Sequence, residues 1–188
     1  MTQAIASTDA PRGNLLIVAA GGVLSGILTP LTVPLIDKIG GGPGDLRIAL
    51  VAIPFAVIVF ILVRRFNPPW AALAAAVVTM MAFVCAVNAA IWIDGQANGA
   101  DKMMRNILAG LAGGFVGSGV MALGIALLPA GPREAVVWVP VLLTGTLAGA
   151  LLALDNALGL DLSSVLYPVW QAGMAVRLAM ALRRGRLS

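Results

Sequence analysis

From Trp70 to Ile93 the chain reads WAALAAAVVTMMAFVCAVNAAIWI, 24 residues without a charge. Coiled as an α-helix at 1.5 Å per residue, that stretch is about 36 Å long, enough to cross the ~30 Å hydrocarbon layer of a bilayer. Five further apolar segments flank it: Asn14–Ile36, Leu46–Val63, Asn106–Leu128, Ala135–Leu154 and Leu162–Leu182. The connectors are short and rich in Gly, Pro, Asp and Asn, as in Asp37–Asp45 (DKIGGGPGD) and Asp94–Lys102 (DGQANGADK). These are turn compositions, too short to hold a soluble domain. The pattern predicts an all-α membrane protein, a bundle of six transmembrane helices.

Composition agrees. Of 188 residues, 60% are hydrophobic and 11% charged, against roughly a quarter charged in a soluble domain. The net charge of +4 does not point to nucleic acid, because the basic residues sit at segment ends and form no patch. Arg12, Arg64, Arg65, Arg133, Arg177, Arg183, Arg184 and Arg186 fall on one side, and Lys38, Arg47, Lys102 and Arg105 on the other. The positive-inside rule then puts both termini in the cytoplasm, with the inner (plasma) membrane of a bacterial cell as the expected location. Most carboxylates (Asp37, Asp45, Asp94, Asp101, Asp155, Asp161) lie on the outer side, and Asp9 and Glu134 on the inner. Residues 1–13 read as a cytoplasmic tail, 14–93 as helices 1–3, 94–105 as an outer loop, 106–182 as helices 4–6, and 183–188 as a basic tail.

Three motifs recur in order in the two halves. Asn14 leads to Ala20-Gly21-Gly22 as Asn106 leads to Ala112-Gly113-Gly114. Arg47-x-Ala49-x-Val51-x-Ile53-Pro54 matches Arg133-x-Ala135-x-Val137-x-Val139-Pro140. Pro68-x-Trp70-x-Ala72-x-x-Ala75 matches Pro168-x-Trp170-x-Ala172-x-x-Ala175. A duplicated unit of three helices must insert the second copy upside down, so a 3+3 inverted-topology repeat is expected, with Pro54 overlaying Pro140 and Trp70 overlaying Trp170. Such repeats recur in transporters, with sites near the midplane.

The same residues exclude much chemistry. The chain has no histidine and one cysteine, Cys85, which removes histidine-ligated metals, Ser-His triads and an intrachain disulfide. No carboxylates share a helical face within the apolar segments, and no phosphate-cradling glycine motif carries a lysine. No catalytic activity, cofactor or metal is expected. The Asp94–Asp101 loop lacks the alternating ligands of a calcium loop.

What is left at mid-depth is neutral. Gln171, Thr144, Thr146, Ser25, Ser118 and Thr79 are the candidate pathway-lining residues, Gln171 foremost because its amide carries two donors and an acceptor. Arg177 lies about five residues, roughly 7–8 Å, from the end of the last segment, within snorkelling reach of the surface. Gly22, Gly26, Gly110, Gly114, Gly117, Gly145 and Gly149 recur at close-packing spacing, for contacts within the bundle, with a second copy or with other membrane subunits. The lipid bilayer is the one partner certain to follow from composition. The expected function is a small transporter or channel-like protein for a neutral or weakly charged solute, passive or partner-driven. The alternative is a non-catalytic subunit or assembly partner of a larger membrane complex.

Overall fold

The structure is a computed structural model that describes residues 10–39, 44–160 and 163–185; Asp9, Asp161, Arg186 and the first nine residues of the expected tail lie outside them. The described residues form eight helices and no strand: α1 (Ala10–Ile39), α2 (Asp45–Val51), α3 (Ile53–Arg64), α4 (Pro69–Gln96), α5 (Lys102–Ala126), α6 (Ala135–Gly149), α7 (Leu152–Leu158) and α8 (Leu166–Arg184). Four stretches are long and apolar enough to cross a membrane: Asn14–Lys38 of α1, α4, α5, and α6 with α7 taken as Ala135–Leu158. The pair α2 and α3 makes a fifth, bent by 58°. This is the build of a multi-pass membrane protein.

The bend in the second expected segment has a local cause. Pro54 has no N–H to give to the carbonyl of Leu50, and its ring crowds that carbonyl. The helix therefore stops at Val51, turns through a three-residue bond from Ala52 N–H to Ala49 O (3.1 Å), and restarts with Pro54 in its first turn. Pro140, its expected counterpart, stays inside α6. There the chain breaks later, at 150–151, before α7 resumes and ends at Gly159, whose φ of 61° suits a left-handed cap.

The last expected segment is the exception on apolarity. α8 carries Gln171, Arg177, Arg183 and Arg184 and falls short of the hydropathy that marks a span. Its surroundings supply the reason: it packs on α1, α6 and α3, and only Val169, Arg177 and Arg184 of its residues are exposed. A helix enclosed by other helices does not need to be apolar all round. It begins four residues later than Leu162 because its first N–H groups are capped from a distance. Asp155 accepts from Val165 N–H (2.8 Å) and from the Ser164 hydroxyl, and Ser164 Oγ accepts from Tyr167 N–H (3.1 Å). Asp155, one of the carboxylates placed on the outer side, is therefore a buried helix cap, 9% exposed.

The bundle has two chemically distinct ends. At one, the Asn67 side chain accepts from Ala130 N–H (2.9 Å), tying the α3–α4 turn to the α5–α6 turn amid Arg64, Arg65 and Arg133. At the other, Arg47 pairs with Asp37 (2.7 Å), Arg105 with Asp94 (2.6 Å), and Asn88 bonds Asp45 (3.1 Å). Towards the arginine end the interior is solid: Val59, Val63, Ala71, Ala72, Ala75, Ile125 and Met174 are fully buried, with Leu178 and Leu182 at 1%.

All seven glycines singled out above lie on seams between helices of this chain. A Cβ on Gly110 would run into the Gly149 carbonyl and one on Gly114 into the Gly145 carbonyl, so α5 and α6 meet backbone to backbone. Gly22 and Gly26 admit the α8 backbone at Ala172 and Pro168, and Gly117 admits Ala86 of α4. The most extensive helix pairings are α4 with α5 and α1 with α8.

Candidate functional site

On α1, Gly22, Ser25, Gly26 and Thr29 stand at i, i+3, i+4 and i+7, one face of the helix. The glycines bring α8 close, and the hydroxyls then have something to bond. Gln171 is that partner, 2% exposed between the two helices. Ser25 Oγ lies 2.7 Å from Gln171 Oε1 and 2.9 Å from Gly22 O; its single proton serves one or the other. Thr29 gives its only proton to Ser25 O (2.9 Å), so at 2.8 Å from the amide it can only accept. That fixes the orientation of Gln171, with Nε2 towards Thr29 and Oε1 towards Ser25. Each amide atom still has capacity left, one N–H and one lone pair.

Gln171 also borders a half-open cavity of about 330 Å³. α4 contributes Thr79, Phe83, Val87 and Ala90 to its wall, and α5 contributes Ala109, Gly110, Gly113 and Gly114. Ala52 and Phe55 enter from the α2–α3 break, and Leu166, Tyr167 and Trp170 from the start of α8. The aromatic wall is held in place. Trp170 donates its Nε1 proton to Gly145 O (3.1 Å) and meets Phe55 edge-on at 5.6 Å, while the rings of Phe83 and Tyr167 lie 5.9 Å apart. No Asp, Glu, Lys or Arg lines the cavity.

The six candidate pathway residues separate into groups. Gln171 and Thr79 line the cavity, Thr79 giving its own proton to Ala75 O (2.8 Å). Ser25 reaches it through Gln171. Ser118 is turned away, bonded to Gly114 O (2.7 Å) and wedged against Gly145. Thr144 accepts from Arg177 Nε (3.2 Å) on the α6–α8 side, and Thr146 sits beside Gly114 on the α5–α6 seam.

Thr29, fully buried, was not among the sequence candidates. The signal for it was present: it lies one turn beyond Ser25 on the same glycine-bearing face. The aromatic wall had no such signal, since Phe55, Phe83 and Tyr167 come from three distant segments. Among the described residues no three His, Cys, Asp or Glu gather as metal ligands, and no buried side-chain nitrogen or oxygen lacks a hydrogen-bond partner. No family model, no curated protein and no solved structure matches this chain.

Proposed function

We propose that the chain is a small inner-membrane transport protein, a carrier or channel-like pathway for a neutral or weakly charged solute. One observation carries this reading: the half-open cavity bordered by Gln171. Its volume sits at the low end of the ~300–1,000 Å³ typical of ligand pockets. Its walls are alanine, glycine, aliphatic side chains and aromatic rings, with the Thr79 hydroxyl and the Gln171 amide at its border. Those walls match a small molecule with an apolar or aromatic body and a single amide- or hydroxyl-type head. With no acidic or basic side chain in the lining, coupling to a proton or sodium gradient has no obvious ligand. Movement is then passive or driven by a partner.

In this reading the chain spans six times, counting the bent α2–α3 pair and α8, with both termini cytoplasmic by the arginine asymmetry. The cavity then lies towards the outer side, and solid packing fills the inner side at the arginine end. A 3+3 inverted design is supported by the helix pairing, since exchanging the halves turns the α1–α8 seam into the α5–α4 seam. The finer register differs: Trp70 is 62% exposed whereas Trp170 is bonded inside. The alternative, a non-catalytic subunit docking through glycine faces, has less support, because those faces already pack within the chain.

The test is uptake of poorly permeant neutral amides and alcohols into proteoliposomes holding the purified protein alone. Gln171→Leu should slow uptake of the accepted solute about tenfold, the worth of one buried hydrogen bond. Val87→Phe, which fills the cavity from α4, should stop it. Rates should change little between about pH 6 and 8, where no lining group titrates. Strong acceleration by an imposed proton gradient would sink the passive mechanism, and no uptake of any solute would sink the transport reading.

A further inference from the structure

Arg177 is the deepest charged side chain on α8. It lies seven residues before Arg184, about 10 Å along the helix axis, and it is exposed on the surface of the bundle. A guanidinium at that depth in a membrane is costly unless its donors are met. Thr144 meets one, accepting from Nε at 3.2 Å. That contact uses Nε and involves neither Nη group. Among the described residues neither Arg177 nor Arg184 forms an ion pair; the pairs present are Arg47–Asp37 and Arg105–Asp94 at the other end.

Two turns apart on one face, Arg177 and Arg184 border a small cleft between α6 and α8, closed by Val137, Pro140, Met180 and Ala181. The cleft, about 30 Å³, holds one small polar group, not a whole solute. Pro140 continues into a stripe of exposed apolar residues along α6, Val136, Leu143 and Leu147, at helical spacing of four, three and four. A notch flanked by two arginines that form no ion pair among the described residues thus adjoins an apolar stripe along α6.

We propose that this α6–α8 cleft binds the phosphate diester of an anionic phospholipid, with Arg177 and Arg184 on the phosphate and an acyl chain along Leu143 and Leu147. Basic clefts between membrane helices suit such headgroups, and a guanidinium fork matches two phosphate oxygens at once. A free phosphate would satisfy the arginines but leave the α6 stripe unused. The inference rests on membrane embedding and not on the transport reading.

The full-length protein in neutral detergent provides the test, with native mass spectrometry and thermal unfolding as readouts. Phosphatidylglycerol should remain bound and raise the unfolding midpoint; phosphatidylcholine and inorganic phosphate should do neither. The double variant Arg177→Gln/Arg184→Gln should bind phosphatidylglycerol about tenfold more weakly, the loss of a charge-assisted hydrogen bond. Both side chains are exposed, so its midpoint without lipid should match the unaltered protein. Arg177→Lys keeps the charge but loses the fork, and should also weaken binding. Arg47→Gln, at the opposite end, should not. Equal binding by the double variant, or equal stabilisation by phosphatidylcholine or by inorganic phosphate, overturns the proposal.

Discussion

The α1–α8 and α4–α5 seams are built on the same device and finished differently. In both, glycines on one helix let the backbone of the other approach: Gly22 and Gly26 face Ala172 and Pro168, and Gly113 and Gly117 face Ala86. The α1–α8 seam is then locked by polar groups, since Ser25 and Thr29 hold the Gln171 amide between them. Along its middle the α4–α5 seam is dry, with Val78, Ala82, Ala86 and Ala90 of α4 against glycines of α5. Its polar link, the Arg105–Asp94 pair, is at the outer end, and the cavity lies against the dry part. Close packing supplies attraction in lipid without any hydrophobic drive between helices. A hydrogen-bonded cluster adds something else, a single permitted register, because an amide displaced by a turn would lose both hydroxyls. The polar seam is therefore fixed in register at mid-depth, whereas the dry seam is tied by side-chain bonds only at its outer end.

The sharpest way to break that contrast is to put bulk into both seams. Gly26→Val would press a branched side chain against α8 backbone at Pro168 and Tyr167, where nothing flexible can give way. It should destabilise the protein by about 3 kcal/mol or more, the upper range for overpacking, read as loss of folded protein on titration with a denaturing detergent. If Gly26→Val folds normally, the two helices are not in backbone contact.

A smaller effect is expected from the cluster itself. Gln171→Leu leaves Ser25 with the Gly22 carbonyl and Thr29 with the Ser25 carbonyl, so neither hydroxyl is orphaned. The cost should be only about 1 kcal/mol, the usual worth of a hydrogen bond between membrane helices. Combined with Ser25→Ala in a double-mutant cycle, the coupling should come to about 0.6 kcal/mol. A coupling of zero would mean that the lock assigned to this seam does not exist.

The mildest change belongs to the dry seam. A Cβ on Gly117 would lie 3.0 Å from the Ala86 methyl and 3.5 Å from Ala82 O, a tight fit that a small shift relieves. Gly117→Ala should cost no more than about 1 kcal/mol, because alanine also restores the helix propensity that glycine lacks. A loss comparable to that of Gly26→Val would erase the distinction between the seams.

Much of the architecture was already legible along the chain. Apolar runs such as Trp70–Ile93 and the placement of Arg and Asp at their ends are properties of contiguous residues, and a helix in lipid satisfies its own backbone within one segment. The glycine positions were legible for the same reason, as spacing on a single helix. Gln171 stood out because an amide with two donors and an acceptor cannot be satisfied by its own turn. The break at Ala52 was half-legible: Pro54 announces a disturbance, but Pro140 is also a helix proline and leaves α6 continuous.

Other features existed only once the helices met. Which hydroxyls serve Gln171 depends on residues 146 and 142 positions away; the glycine-bearing face marks Ser25 and Thr29 as seam residues, as another marks Ser118, but not which amide they meet. Asp155 became a buried cap only because the start of α8 folds back onto it. The cavity is the difference between side chains from α3, α4, α5, α7 and α8, a volume left over by packing that no one segment encodes. Local periodicity determines where helices form, because their hydrogen bonds close within four residues. Long-range packing determines what lies between them, because that space belongs to several segments at once.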